Sequence, residues 1–347
     1  MSDVQPLVPS LFNKFGRKPF SHVLRKGLKY VENRKTGRIK SFRTPWKGFN
    51  AAGIAGLEWG SMLTIGARPG AGKTMLVSQI LRESRKLNPD QDFNILEFQF
   101  EMGDEQYAAR QFAGATRAKY GEILSTDKAL NDFVFNQVEN YVRDCEALEK
   151  LGVKRELVSE SLTSEQIEQA ITQAYKDWGD KPIIVTIDHS WLIKKDPTER
   201  EKLQTLYNTT EMLMKLKNRL PIIIIMITQL NRSIDDPLRK KMGDVGNYPT
   251  AGDIFGGDAL MQGSDMIAIL ARPFKNDIPL YGPFQYICKK EDVILHLIKN
   301  RNSDNDIDMV FLRMDGAAQE MVEVPEFPKN KPGGNAPSKY PGFGSTS

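Results

Sequence analysis

The sequence predicts an α/β protein in which helices flank a mostly parallel central sheet. Short apolar runs of strand length alternate along the chain with longer segments in which apolar residues recur every three or four positions. The short runs are apolar throughout, which is typical of a parallel sheet that is covered on both faces. Several of them end in a polar residue, and ligands bind at the carboxyl ends of strands in such sheets.

The apolar runs predict strands at residues 62–65, 94–100, 183–188, 222–229, 266–271, 293–298 and 309–314. The three- and four-residue recurrence predicts helices at residues 20–33, 73–86, 105–119, 127–150, 163–178 and 199–219. Thr163 and Gln166 form a capping box at the start of one helix, and Gly179 ends it.

The composition is that of a soluble globular protein, with 40% hydrophobic and 27% charged residues. No apolar run approaches the ~20 residues that a membrane-spanning helix needs. Cys145 and Cys288 form no C-x-x-C pair, and His22, His189 and His296 are scattered. Neither a disulfide framework nor a zinc site is therefore indicated, and a reducing cytoplasm is the expected location.

Charge and composition divide the chain into three parts. Residues 1–50 hold 12 Lys and Arg residues and two acidic residues, a net charge of +10, whereas the remainder carries −6. We therefore expect a basic arm or linker helix at residues 1–45, a central α/β domain at 46–322 and a disordered Pro/Gly/Ser-rich tail at 323–347. The arm can contact nucleic acid, dock on a neighbouring subunit or be a solvated tether.

A glycine-rich turn follows the first predicted strand and precedes a helix. This strand–turn–helix order is typical of a P-loop, where backbone N–H groups and the positive end of the helix dipole bind phosphates. The lysine approaches the terminal phosphates, and the threonine hydroxyl is a hard ligand for Mg²⁺. We expect ATP and Mg²⁺ here, held by Ala67, Arg68, Pro69, Gly70, Ala71, Gly72, Lys73 and Thr74. Ala67 stands where the usual motif has its first glycine.

Three polar residues follow other apolar strands. Asp188 fits the acid that holds the magnesium shell, although a strand-ending aspartate can also cap a turn. Glu101 can orient the water that attacks the γ-phosphate, or it can be a surface acid paired with a lysine. Gln229 can hydrogen-bond the γ-phosphate or that water, or it can simply be a polar residue at a strand exit.

Two basic stretches are candidates for phosphate contact. Residues 232–257 form a long, glycine-bearing loop, which is usually functional or disordered. Its cations and glycine amides could bind the phosphates of single-stranded DNA, or the cations could simply be a solvated charge run. The candidate DNA-binding residues are Arg232, Arg239, Lys240, Lys241, Gly256 and Gly257. Lys299 and Arg301 lie at a strand end, where an arginine can serve another subunit as a finger or be part of a solvated turn.

Six motifs in order resemble those of the DnaB-like replicative helicases, which are RecA-like ring ATPases. ARPGAGKT is similar to the family's A-R-P-x-x-G-K-T, and FQFEM to its F-S-L-E-M. VTIDHSWLI resembles the magnesium-site strand, and ITQLNRS is similar to L-S-Q-L-N-R-S. IKNRN resembles K-Q-R-N, and GDIFGGDALMQGSD resembles S-D-L-R-E-S-G-A-I-E-Q-D-A-D, matching Asp253, Gln262 and Asp265.

The resemblance covers about residues 44–314 and implies a RecA-like P-loop ATPase domain. It implies that Glu101 is the catalytic glutamate, Asp188 the magnesium-site acid and Gln229 the γ-phosphate sensor, while Lys299 and Arg301 act in trans. It also implies a homo-hexamer that encircles single-stranded DNA and unwinds duplex by ATP hydrolysis. The segment before the core then packs on the adjacent subunit, and replisome proteins are possible partners of the arm or tail.

The sequence departs from the family at two points. The R-E-S-G stretch is replaced by Phe255, Gly256, Gly257 and Asp258, so an arginine is lost and an acid gained where relatives contact DNA. The helical N-terminal domain of bacterial relatives has no counterpart, which favours a phage or mobile-element protein acting in a host cytoplasm. Two other functions stay open: a RecA-type recombinase that forms filaments, and a nucleotide-switched loader or scaffold without motor activity.

Overall fold

The computed structural model describes residues 18–241, 248–278, 280–301 and 306–330 of the 347. The chain divides into two compact units, residues 1–41 and 42–347. In the described part of the first unit, a single helix, α1 (Phe20–Lys35), confirms the helix predicted for the basic arm. None of the residues of α1 is buried.

The second unit is built around a nine-stranded sheet in its described residues, with the strand order β11-β10-β9-β6-β1-β5-β4-β2-β3. The strands are β1 Ser61–Ala67, β2 Asn94–Gln99, β3 Arg155–Val158, β4 Ile183–Asp188, β5 Ile222–Gln229, β6 Met266–Ala271, β9 Asp292–Asn300, β10 Met309–Asp315 and β11 Glu320–Glu323. A separate hairpin pairs β7 (Leu280–Tyr281) with β8 (Tyr286–Ile287). The first six strands pair in parallel, whereas β9, β10 and β11 pair antiparallel.

Helices connect the strands and lie against the sheet. They are α2 Lys47–Ala52, α3 Lys73–Leu87, α4 Asp104–Thr116, α5 Tyr120–Ile123, α6 Asp132–Lys150, α7 Ser164–Asp177, α8 Lys202–Arg219, α9 Pro237–Lys241 and α10 Gly257–Gly263. The predicted capping box is present, because Thr163 accepts a hydrogen bond from the N–H of Gln166 and the Gln166 side chain accepts one in return. Among the described helices, none combines the length and apolar character needed to cross a bilayer.

Strand β5 shows why the sheet is covered on both faces. Ile223, Ile225 and Ile227 pack into the core cluster that includes residues of α3. The residues between them, Ile222, Ile224 and Met226, pack into the cluster that includes residues of α8. All six are completely buried, and each such aliphatic side chain stabilises the fold by about 1.5–3 kcal/mol. The predicted α/β class with a mostly parallel sheet is therefore confirmed.

Two predictions about local structure are wrong. Residues 232–257 are not structureless: they contain a 3-10 turn at Arg232–Asp235, helix α9 and a second 3-10 turn at Ala251–Asp253, while residues 242–247 lie outside the described part. The predicted disorder does not begin at residue 323, because Phe327 is buried and packs on Phe311 at a ring distance of 4.9 Å. The rest of the tail, from residue 331, lies outside the described residues.

Candidate nucleotide site and nucleic-acid loop

The neighbouring strands β1, β5, β4 and β2 bring the glycine-rich turn and three candidate side chains to one edge of the sheet. Because these strands are parallel, their carboxyl ends meet there. The glycine-rich turn follows β1, Gln229 ends β5, Asp188 ends β4, and Glu101 follows β2.

The turn after β1 has the backbone that a P-loop requires. Gly70 and Gly72 have φ of +70° and +102°, a left-handed region that side chains with a Cβ rarely adopt. Gly72 is the N-cap of α3, so the helix begins at Lys73. Ala67 is still part of β1, paired with Gln229 and Leu270, which is why no glycine is needed at that position.

Lys73 folds back over the turn, where its Nζ donates a hydrogen bond to the Ala67 carbonyl at 3.0 Å. Burial lowers the pKa of Lys73, and the charges of Asp188 and Glu101 oppose that effect. The ammonium group is therefore held beside the turn by a neutral carbonyl and nearby carboxylates. An incoming phosphate would supply the negative charge that a partly buried cation lacks.

Thr74 and Asp188 form a pair suited to a magnesium ion. The Thr74 hydroxyl donates to Asp188 Oδ2 at 2.7 Å, which leaves the threonine oxygen lone pairs free to coordinate. Gln99 Nε2 donates to the same carboxylate oxygen at 3.3 Å, a supporting contact that sequence reasoning missed. Asp188 Oδ1 is buried and has no hydrogen-bond partner in the described residues. A buried acceptor of this kind fits a metal-bound water, so these residues fit Mg²⁺ and a nucleotide.

Burial raises the pKa of Asp188, and the hydrogen bond from Thr74 acts against that rise. The charge of Glu101 raises it further. A divalent cation beside the pair would favour the ionised carboxylate, as metal ions do at ligand sites generally.

Glu101, His189 and Gln229 surround this pair. Glu101 is exposed, and its backbone N–H donates to Gln99 Oε1 at 3.0 Å, which fixes the backbone that carries the carboxylate. Gln229 Nε2 lies 3.4 Å from His189 Nε2. The peptide bond between Asp188 and His189 is cis. Burial lowers the pKa of His189, which keeps the ring neutral and able to accept a hydrogen bond.

Three further cations of the same chain contact the turn or its flank, two of which were not predicted. Arg272, just after β6, donates to the Gly70 carbonyl at 3.2 Å, and Lys275 donates to the Pro69 carbonyl at 3.3 Å. Arg68 forms an ion pair with Asp235, in the turn after β5. Arg272 could have been identified from the sequence, because it directly follows an apolar strand, β6, that lies next to β1.

Lys299 and Arg301 lie at the other end of the parallel strands, where the amino end of β6 is found. The last residue of β9, Asn300, pairs with the first residue of β6, Met266, at the amino end of that strand. Lys299 donates to the Met261 carbonyl, and Arg301 donates to the Gln262 carbonyl at 3.0 Å. The structure therefore does not bring these two cations to the glycine-rich turn of their own chain.

The candidate DNA residues after β5 fall into three groups. Arg232 is exposed, whereas Arg239 forms an ion pair with buried Asp253. The side chains of Lys240 and Lys241 lie outside the described residues. Gly256 has φ of +67° and is the N-cap of α10, which begins at Gly257.

Comparison with known protein families identifies one matching family. The sequence model of the DnaB-like helicase C-terminal domain matches residues 43–318. The replicative DNA helicase DnaB of Buchnera aphidicola subsp. Baizongia pistaciae is 26% identical over 245 residues, which are 67% of this chain and 49% of that protein. DnaB of Helicobacter pylori strain J99 is 26% identical over 251 residues, 70% of this chain and 47% of that protein. The chain thus spans about half the length of these curated relatives.

Solved structures show the same fold. A DnaB-like replicative helicase, studied for its interactions with primase, superposes with a TM-score of 0.66 at 17% identity over 86% of this chain and 66% of that one. A KaiC-like protein from the archaeon Pyrococcus horikoshii gives a TM-score of 0.52 at 12% identity over 83% of this chain and 100% of that one. The RecA-like architecture expected from the sequence is confirmed.

Proposed function

The chain belongs to the DnaB-like helicase C-terminal domain family, and we propose from this that it is an ATP-dependent DNA helicase motor. As a hexameric ring, it translocates on single-stranded DNA and unwinds duplex. The single observation that carries the proposal is the separation of two half-sites at opposite edges of one sheet. Such a chain completes its site only with a second copy in a head-to-tail arrangement, and a head-to-tail interface whose rotation closes produces a ring.

The half-site at the carboxyl edge binds ATP and Mg²⁺. The backbone around Gly70 and Gly72 holds the phosphates, and Lys73 contacts the terminal ones. Thr74 would coordinate the ion and Asp188 would accept hydrogen bonds from its water shell. Mg²⁺, when bound, neutralises part of the charge on the β- and γ-phosphates.

Glu101 and Gln229 act on the attacking water and the γ-phosphate. Glu101 is exposed at the strand end and, within the described residues, its carboxylate has no hydrogen-bond or ion-pair partner, so it is available to hold a water molecule. Gln229 senses the γ-phosphate from the neighbouring strand, with His189 beside its amide at 3.4 Å.

Lys299 and Arg301 act on the nucleotide of the adjacent copy. Strand β6 has six residues, so its two ends are ~20 Å apart at about 3.3 Å per residue, well beyond the reach of an arginine side chain. In trans, the guanidinium stabilises charge that develops on the transferred phosphoryl group. The Gln262 and Met261 carbonyls that now accept from these cations hold them at the surface of their own subunit.

The proposal is tested by steady-state ATP hydrolysis with and without single-stranded DNA. We expect hydrolysis that DNA stimulates and that the Glu101→Gln variant loses, while nucleotide binding persists. Glu105→Gln is the matched control, because it makes the same chemical change at an exposed position in α4. Hydrolysis that ignores DNA would overturn the motor and favour a nucleotide-switched loader or scaffold. Open filaments instead of closed rings in electron microscopy would favour a recombinase.

We also propose that the basic arm docks on an adjacent copy. Helix α1 exposes apolar residues on one side, among them Leu24 and Leu28, which are 57% and 61% exposed. In the second unit, a groove of about 450 Å³ lies among α3, α4, α6 and β3, with apolar residues such as Phe112 and acids such as Glu146 in its lining. An amphipathic basic helix matches a groove of this character.

Leu24→Asp tests the docking of the arm. We expect the change to reduce assembly measured by sedimentation, whereas Lys26→Asp, on the other side of the helix, leaves a larger share of rings intact. Equal loss of assembly in both variants would show that charge alone, rather than the apolar side of α1, governs assembly.

A further inference from the structure

A pair of aromatic rings, one exposed and one half-buried, lies beside the candidate nucleotide site. Trp191 and Phe255 are 64 positions apart in the sequence, yet their ring centroids are 4.5 Å apart with an interplanar angle of 82°. Trp191 is 41% exposed, which is high for the largest apolar side chain. Edge-to-face contact fixes the two rings against each other and leaves aromatic surface open to solvent.

Both rings are attached to strand ends of the catalytic edge. Trp191 follows Asp188 by three positions, in the short turn Ser190–Leu192. That turn is anchored to β5, because the Ser190 hydroxyl donates to Thr228 Oγ1 at 3.1 Å. Phe255 is anchored to the same strand, since its N–H donates to the Gln229 carbonyl at 3.1 Å.

Positive charge accompanies the pair. Lys202 Nζ lies 6.0 Å from the Trp191 ring centroid and donates to the Ile193 carbonyl, so it stays beside the ring. A cation beside an aromatic ring is a suitable contact for the phosphate of a nucleotide whose base stacks on the same ring. Phe255 also stands where the sequence loses the arginine of the family pattern.

We propose that Trp191 and Phe255 form a stacking platform for a base of single-stranded DNA. The inference rests on the proposed DNA motor and adds a base contact to the phosphate contacts expected of Arg232, Gly256 and Gly257. Trp191 receives the base on the exposed part of its ring, and Phe255 holds the indole ring in place. Because every base has a π-face, the contact is tolerant of sequence.

The test compares a thymidine oligonucleotide with an abasic strand of the same length and charge. Stacking on an aromatic side chain is worth about 1–3 kcal/mol per base, so we expect Trp191→Ala to weaken binding of the thymidine strand about 5- to 150-fold. Binding of the abasic strand should stay unchanged, because it offers phosphates but no base. Equal weakening for both strands, or no weakening for either, would overturn the platform.

Fluorescence supplies a second readout that does not depend on the alanine variant. The chain has four tryptophans, and we expect the thymidine strand to quench the fluorescence of Trp191. Trp191→Phe should lose this quenching while keeping a ring that still stacks, so its affinity should fall less than that of Trp191→Ala. Trp178→Phe is the control, since Trp178 is half-buried at the end of α7 and packs against the core cluster to which that helix contributes. Quenching that survives in Trp191→Phe would contradict the proposal.

Two outcomes separate the failure of this inference from failure of the proposed function. If half-maximal stimulation of hydrolysis needs the same DNA concentration in the parent protein and in Trp191→Ala, the motor stands and the platform is wrong. If Trp191→Ala changes the sedimentation of the DNA-free protein without altering DNA affinity in the assembled form, the pair is covered by a second copy and the platform is also wrong. A parent protein that binds no single-stranded DNA would overturn both.

Discussion

The shared site makes a strong prediction about mixtures of two inactive variants. Glu101→Gln removes the carboxylate at the carboxyl edge, whereas Arg301→Ala removes the guanidinium at the amino edge of β6. Each variant alone should be inactive, the second by about 10³–10⁵-fold if the arginine is a finger. Mixed before assembly, the two variants should regain activity.

The size of the recovery follows from the geometry. One site needs an intact Glu101 from one copy and an intact Arg301 from the next. In an equal random mixture each condition is met in half of the cases, so about a quarter of the interfaces in a head-to-tail ring are complete. A motor that needs no coordination between sites would recover hydrolysis in that proportion.

The assay is ATP hydrolysis as a function of the mixing ratio, with single-stranded DNA present. A maximum near equal amounts, with neither variant active alone, would support completion of the site by a second copy. Arg313→Ala, which removes an arginine that bonds Asp292 on β9 of its own chain, should show no such dependence when mixed. Activity of Arg301→Ala by itself, or a mixture no more active than its components, would refute the reasoning.

Three further predictions concern stability. Burial lowers the pKa of His296 to about 3, below the value of about 6.5 in an unfolded chain, so the free energy of unfolding decreases as pH falls below 6.5. Acidification from pH 7 to 5 should therefore cost about 2 kcal/mol of stability. His296→Gln should remove that loss, as measured by urea titrations at the two pH values. Gly256→Ala should destabilise the protein by about 1–3 kcal/mol in urea, because φ is +67° there and a Cβ would collide with Leu206. Glu97→Gln should cost about 2–4 kcal/mol by thermal unfolding, since it leaves the guanidinium of Arg155, now 2.7 Å from the carboxylate, without its charge partner.

Simple controls accompany these three. Gly121→Ala should be nearly neutral, because a Cβ there meets no atom within 4 Å and φ is not positive. An unchanged pH dependence in His296→Gln would assign the acid sensitivity to other groups. A Glu97→Gln variant as stable as the parent would mean that the Arg155 guanidinium finds solvent, of which its 27% exposure gives it some.

The central strands could be predicted because almost all of their residues are buried. Strands β4, β5 and β6 are buried along nearly their whole length, so nearly every position before the strand end is apolar, with Thr186 of β4 as an exception, and the predicted and observed bounds agree. The polar residue that follows each run marks the edge where a ligand can bind. That signal made Asp188 and Gln229 candidates for the nucleotide site.

The periphery could not be predicted in the same way. Strand β3 has no fully buried residue, and β11 has four residues with one buried, so neither shows an apolar run. The short helices after β5 depend on local caps; for example, Thr250 and Asp253 form a capping box around a single turn. Such elements are ordered by tertiary contacts more than by their own pattern.

Side-chain contacts between residues far apart in the sequence could not be predicted either. Arg239 was expected to be an exposed cation, but the fold brings Asp253 to it, 14 positions away. Trp191 and Phe255 meet only because β4 and β5 are neighbours in the sheet. Periodicity identifies which residues are buried within an element, whereas contacts of this kind require the order of the strands.

The candidate nucleotide site and the candidate DNA loop are linked mainly by hydrogen bonds of the backbone. Gln229 directs its amide towards His189, while its carbonyl accepts from the N–H of Phe255. Two residues later, the Asn231 N–H donates to the Asp253 carbonyl at 2.7 Å, and the Asn231 side chain donates to the Gly252 carbonyl at 2.9 Å. The end of the loop is therefore tied to the exit of β5 by several hydrogen bonds in sequence. If a γ-phosphate displaces Gln229, we expect the loop to move with it, because breaking these bonds would forfeit the hydrogen bonds that tie the loop to β5.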